Sequence, residues 1–173
     1  MNQVFSTDQI PPFYRPYVAR VQDYPLIEAL ERTSGETIQM LKGVPESLGT
    51  FAYAPGKWTI KELLQHMMDA ERVFAFRAMT FARNDKTNLP AFDENAYVPE
   101  SNAHARTLAE LTASMDRLRA TTLDLFRSFT PEMLKRRGVA NNVELSVESI
   151  GYIIAGHESH HKAIIIERYL KNS

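Results

Sequence analysis

An all-α fold, a four-helix bundle, is predicted by three features of this 173-residue sequence. Apolar residues recur at three- and four-residue steps in four long stretches, the period of a helix with one buried side. Two of those stretches open on Thr-x-x-Glu, the capping box that fixes a helix N-terminus. No stretch shows a convincing alternation of apolar and polar residues, so no strand is expected, and no internal repeat is present. Helices without strands bury their stripes against one another.

The elements follow in order. Residues 1–24 hold Pro11, Pro12, Phe13, Tyr14, Pro16 and Tyr17, and read as an irregular N-terminal arm whose aromatics dock on the body or on a second subunit. Residues 25–173 read as one bundle domain. The first helix starts near Pro25, a residue suited to a first turn. Ile27, Leu30, Ser34, Ile38 and Leu41 form its stripe, and Gly43 and Pro45 end it. The second opens on the Thr59–Glu62 box. Ile60, Leu63, Met67, Ala70, Phe74, Arg77 and Phe81 then make the strongest stripe of the chain, so this helix is expected at the centre. Trp58 precedes the cap and reads as a hydrophobic staple on Leu63 or Leu64.

Residues 84–106 form a long polar connection, of a length uncommon inside compact domains and often functional. A helix from Ile60 to Ala82 spans roughly 35 Å at about 1.5 Å per residue. An extended connection of this size crosses that distance about twice over, so helices two and three are free to run parallel. The third helix opens on the Thr107–Glu110 box and carries Leu108, Leu111, Met115, Leu118, Thr122, Leu125 and Phe129 along one seam. Thr130-Pro131-Glu132 reads as the cap of a short extra turn, and residues 136–145 as a polar loop with Gly138 and the Asn141-Asn142 pair. The fourth helix begins after Ser146, with Val147, Ile150, Ile153, Ile154, Ile164 and Ile165 on its buried side.

Composition narrows the function. Lys and Arg number 20 against 21 Asp and Glu, a net charge of −1, which offers no electrostatic footprint for nucleic acid. No apolar run is long enough to span a membrane, and no secretion signal opens the chain, so a cytoplasmic protein is expected. The absence of cysteine rules out disulfides, thiolate ligands and a cysteine nucleophile. Any thiol chemistry would draw on a small-molecule thiol.

Chemistry concentrates on histidine. His157 and His161 lie one helical turn apart within the buried sector of helix four, so their imidazoles can share one ion. His66 sits between Leu63 and Ala70 on the buried side of helix two and can supply a third nitrogen. At about 100° per residue, His161 falls roughly 40° from His157 and His160 roughly 60° the other way. The apolar centre of the helix leans toward His161. His160 is therefore set on the flank as a candidate catalytic, proton-shuttling residue or substrate contact, although the i, i+3 pairing of His157 with His160 stays open on spacing alone. A lone histidine on a buried stripe is more often a hydrogen-bonded core residue than a ligand, and an i, i+4 pair also arises by chance. Together, with no core carboxylate clearly placed to pair three buried imidazoles, the metal reading leads.

Neutral nitrogens suit zinc, nickel, iron, copper or manganese above calcium or magnesium. Three of them leave a position open for water or a ligand, the arrangement of a reactive centre. Asp69 and Glu158 are candidates to orient the second nitrogens of His66 and His157, though both also read as ordinary solvated charges. Asp93 and Glu94 are placed to close over the ion from the long connection. Tyr53, Tyr97 and Tyr152 read chiefly as packing aromatics.

Pro55-Gly56-Lys57-Trp58-Thr59-Ile60-Lys61-Glu62-Leu63-Leu64-Gln65-His66 resembles the opening of the second helix in DinB-like proteins of the DinB/YfiT superfamily. Gly156-His157-Glu158-Ser159-His160-His161 resembles the family's C-terminal His-x-x-x-His segment, and 89–97 is similar to one bacterial branch. The order and separation of these motifs carry the resemblance. It implies an up-down-down-up four-helix bundle, usually homodimeric, with a divalent metal on His66, His157 and His161. It also implies a thiol-dependent S-transferase, an isomerase or a metal-dependent hydrolase acting on a small-molecule substrate. The expected function is a metal-dependent enzyme that activates a small thiol or water. The alternatives are a non-catalytic metal-binding or stress-response bundle, and a structural bundle whose histidines hydrogen-bond one another.

Overall fold

The structure, a computed structural model, describes residues 5–8 and 10–171. A 3-10 turn (Pro12–Tyr14) leads into α1 (Arg15–Val18), so the segment read as an irregular arm contains a short helical piece. It lies directly on the last helix: a Cβ at Gly156 would come within 2.2 Å of the Tyr17 carbonyl oxygen. Only glycine allows that approach. Helix α2 (Leu26–Leu41) follows Pro25 and ends before Gly43. Helix α3 (Ile60–Ala82) opens on the expected capping box: the Thr59 N–H donates to Glu62 Oε2 at 2.8 Å, and the Glu62 N–H donates back to Thr59 Oγ1 at 3.3 Å.

The long connection is more ordered than its polarity suggests. It contains α4 (Glu94–Glu100), capped by the Asp93 carboxylate, and a 3-10 turn at Ala103–Ala105. Helix α5 (Leu108–Arg127) opens on the second capping box, and α6 (Pro131–Lys135) is the short turn capped by Thr130. The loop expected over 136–145 is instead a β-hairpin, which corrects the strand-free reading. Strand β1 (Arg137–Ala140) pairs antiparallel with β2 (Val143–Ser146), in the register Arg137 to Ser146 and Ala140 to Val143. Asn141 and Asn142 have φ of 52° and 58°, the two left-handed residues of a tight hairpin turn. Leu89 of the connection adds a bridge to Ala140. Helix α7 (Val147–Ile164), capped by Ser146, continues into a π-helical stretch (Ile165–Leu170).

Side-chain pairs fix the helix directions. Arg106, just before α5, meets Gln65 near the start of α3. Arg119 midway along α5 grips Glu71 midway along α3, and Arg83 past the end of α3 lies over the Phe129 ring. Helices α3 and α5 therefore run parallel, as the long connection permits. Gly151 near the start of α7 packs on Leu26 at the start of α2, and Lys162 meets Glu36 farther along, so these two are also parallel. The Tyr169 hydroxyl donates to the Trp58 carbonyl at the head of α3, which sets α7 antiparallel to α3. The order is up-down-down-up.

The core has two apolar clusters. One gathers Leu26, Leu30, Ala70, Phe74, Phe126, Ile150 and Ile153; the other gathers Leu41, Ile60, Leu64, Met67, Leu111, Ile165 and Tyr169. Between them along α3 and α7 lies a layer of buried polar groups, including Thr33, Thr37, His66, Arg119, His157, Glu158 and His161. No helix among the described residues is long and apolar enough to cross a membrane.

Candidate metal centre

The polar layer brings the three predicted imidazoles together. His66 projects from α3, and His157 and His161 from successive turns of α7. His157 Nε2 lies 3.2 Å from His66 Nε2 and 3.0 Å from His161 Nε2. The rings meet nearly edge-on, at 65° to 82°. Metal–nitrogen bonds of about 2.0–2.1 Å hold two nitrogens on one ion about 2.9–3.4 Å apart, between octahedral and tetrahedral angles. Both spacings fall in that range, and one ligand atom from each residue lies within 4.8 Å of the other two.

Hydrogen bonding alone cannot satisfy this cluster. A neutral imidazole carries one proton and one in-plane lone pair. His157 Nε2 faces two ring nitrogens but can form only one well-aligned bond. Burial lowers the pKa of His66 and holds His157 down at about 3, with neighbouring imidazoles adding to the effect; His161 is lowered in the same way. All three rings are therefore neutral near pH 7, with lone pairs available. A cation at their common point takes the lone pairs at once, so the donor set fits one divalent ion.

His66, His157 and His161 are 6%, 9% and 9% exposed, and all three line a cavity of about 290 Å³. Its walls combine apolar groups (Phe74, Phe92, Ile153) with polar ones: Tyr14, Tyr17, Arg77, Glu94 and Asn141. Tyr17 stands edge-on to His157 at 5.6 Å between ring centres. Glu94, placed there by the first turn of α4, borders the cavity as the long connection suggested. Asp93 does not border it, because its carboxylate caps α4. Trp58 packs on the cluster of Leu63 and Leu64 as a staple would, but its ring also lies 4.8 Å from that of His66 and forms part of the cavity wall.

The orienting carboxylates are engaged elsewhere. Asp69 accepts from Gln65 and Arg72. Glu158 is not a solvated charge: it is buried and paired with Arg119 at 2.5 Å. The Nδ1 atoms of His66 and His161 have no hydrogen-bond partner among the described residues. His160 is half-buried behind His161, its ring 5.1 Å from both His161 and Tyr17, and does not line the cavity. Tyr152 donates to the Tyr24 carbonyl, Tyr97 packs on Phe92, and Tyr53 packs on Tyr169. The cavity hydroxyls come instead from Tyr14 and Tyr17, both raised in pKa by burial. Their aromatic run was visible in the sequence; the docking of α1 on Gly156 was not.

Arg77 also escaped the sequence reading, which treated it as one position in the α3 stripe. It is 5% exposed. Its Nη2 donates to the Pro90 carbonyl at 2.9 Å, and its guanidinium sits 5.5 Å from the Phe74 ring centre. No carboxylate among the described residues lies within ion-pair distance of it.

Comparison with known proteins agrees with this architecture. A sequence model of the DinB superfamily matches residues 29–165. A protein of Oceanobacillus iheyensis, named "Putative metal-dependent hydrolase OB0413", is 28% identical over 142 residues, covering 80% of this chain and 79% of its own. The solved structure of YfiT from Bacillus subtilis is described as a probable metal-dependent hydrolase with an unusual four-helix bundle topology. It superposes with a TM-score of 0.73 over 85% of each chain at 20% identity, which shows a shared fold.

Proposed function

We propose that this chain, which belongs to the DinB superfamily, is a metal-dependent enzyme holding one divalent ion on His66, His157 and His161. The observation that carries the reading is the convergence of three neutral ring nitrogens, 3.0 and 3.2 Å apart where paired, on the wall of a 290 Å³ cavity. The donor set suits zinc, nickel, iron or manganese. When bound, such an ion lowers the pKa of a water or thiol and polarises an electrophile.

The remaining work falls to the chain itself. Glu94 is the carboxylate on the cavity wall and accepts the proton of the nucleophile. Tyr14 and Tyr17, protonated near neutral pH and raised further in pKa by burial, donate to negative charge that develops on the substrate. His160 braces the ring of Tyr17 from behind. Phe74, Phe92 and Ile153 exclude water.

Hydrolysis is the simpler use of this site, and it matches the names of both relatives. Thiol transfer is supported by a separate feature: His161 and Trp58 also line a second cavity of about 270 Å³, with Tyr53, Lys57 and Tyr169. A two-substrate reaction requires two pockets beside one reacting centre. The exposed Phe76 and Tyr97 share a surface hollow with Val73 and support the homodimer that the resemblance implies, which light scattering checks.

The test is to assay metal-loaded protein against a panel of esters and amides, and against alkyl halides with bacillithiol, mycothiol or glutathione. Turnover should stop on chelation, return when the ion is restored, and fall by about 10²–10⁴-fold in Glu94→Gln. Absence of turnover in both panels with the ion bound contradicts an enzyme and favours a binding protein.

A further inference from the structure

We propose that Arg77 makes the cavity beside the histidines a receptor for an elongated small molecule with an anionic end group. That group, a carboxylate or its like, sits on the guanidinium while the opposite end reaches the histidines. The inference rests on the histidines as the reacting end and extends that reading to substrate class.

Helix geometry sets the arrangement. Arg77 follows His66 by eleven residues on α3, which is three turns plus about 20° at 100° per residue. Both side chains therefore leave the same face of one rod, and both line the cavity. Their Cα atoms are about 16 Å apart at 1.5 Å per residue. The Arg77 guanidinium lies over the ring of Phe74, which falls between the two positions on α3. Ala70 and Phe74 lie between them on α3, and Ile153 and Phe92 face the gap. The order along the cavity is reacting end, apolar middle, cation.

The cation calls for a partner. The guanidinium of a residue that is 5% exposed, with one carbonyl bond and no carboxylate among the described residues, bears a desolvation cost that an anion would offset. Arg119 shows the alternative within the same molecule: an arginine buried for structure is gripped by two carboxylates. Glu94 also borders the cavity and would repel an anion placed beside it. Its field acts on His66, Tyr17 and Tyr14, whereas that of Arg77 acts on Tyr14. Glu94 forms no ion pair with Arg77 and so leaves the guanidinium unneutralised. Tyr14 lines the same cavity, edge-on to Phe74, and can donate to the same anionic group.

The test measures binding. Phenylpropanesulfonate, an anion that coordinates metals weakly, is compared with the neutral phenylpropyl methyl sulfone on metal-loaded protein. Trp58, the single tryptophan and part of the cavity wall, reports occupancy by fluorescence. The wild type should bind the sulfonate about tenfold more tightly than the sulfone, the size of one charge-assisted hydrogen bond. Arg77→Met should abolish the preference by weakening the sulfonate far more than the sulfone, and Arg77→Lys should retain part of it. If Arg77→Met does not fold, Arg77→Gln set against Arg77→Lys makes the same comparison. Equal affinity for the two probes in the wild type overturns the proposal, as does a preference that survives removal of the guanidinium. His66→Ala separates the two readings. A preference kept in that variant supports the anion pocket even if no ion or turnover is found, whereas a preference lost there puts the anion at the histidines and refutes the pocket.

Discussion

Two clusters of buried polar side chains share one layer of this bundle, and they are finished differently. Arg119 is saturated. Its Nε and Nη2 donate to the two Glu71 oxygens at 2.9 Å, Nη2 also pairs with Glu158, and Nη1 donates to the Leu30 carbonyl and Thr33. Burial opposes its charge, but the two carboxylates outweigh burial and raise its pKa. The histidine cluster adjoins it through His157 and Glu158, neighbours in sequence. It has three converging nitrogens, two Nδ1 atoms without a partner among the described residues, and an adjoining cavity. A buried polar group normally finds its partners. Arg119, on α5, finds its partners on three other helices and ties the four together, whereas the histidines present a surplus of lone pairs. Saturation marks the structural cluster, and unmet donor capacity facing a cavity marks the functional one.

Arg119→Met tests the contrast hardest. It strands Glu71 and Glu158 in the core and should cost about 3–5 kcal/mol in urea denaturation. His161→Gln in metal-free protein breaks no saturated network and should cost about 1 kcal/mol. Similar losses in the two variants would erase the distinction. Gly156→Ala comes next. The added methyl meets the Tyr17 carbonyl at 2.2 Å, so α1 must shift, at about 1–3 kcal/mol, and affinity for cavity ligands should fall with it.

The pH dependence separates the clusters further. His157 titrates at about 3 in the fold against an ordinary 6.5, and the other two ligand rings shift the same way. Between those values the unfolded chain binds more protons than the folded one, so stability rises with pH. Metal-free protein should hold this contribution in full above about pH 6.5 and lose it progressively toward pH 3. The double variant His157→Gln, His161→Gln should show a flatter urea midpoint across that window. The smallest effect is expected at His160, which lies outside the cavity: His160→Ala should keep the ion and change stability by about 0.5 kcal/mol.

What the sequence disclosed follows from what is local. Both capping boxes and the four stripes depend on neighbours within a turn or two, and so does the i, i+4 placement of His157 and His161. The inclusion of His66 required only that two apolar stripes face each other. The β-hairpin was hidden because its strands are four residues each, too short for alternation to register; its signal was the Asn141-Asn142 pair. Helix α4 was masked by polarity and by Pro99. Glu158 read as an ordinary solvated charge, and Arg119 and Glu71 drew no reading at all, because burial of an ion triad depends on three helices meeting. Arg77 passed as a stripe position, although its eleven-residue spacing from His66 places both on one face. Tyr14 and Tyr17 reach the cavity only because α1 docks where α7 has a glycine.

The most direct measurement is the metal content of native-purified protein beside His66→Ala, His157→Ala, His161→Ala and His160→Ala, with folding checked by circular dichroism. Three imidazoles sharing one cation predict a single tightly held ion per chain in the wild type and in His160→Ala, and its loss in each of the other three. An ion retained in those three variants, or a wild type that takes up none when offered zinc, nickel, iron or manganese, would contradict the account.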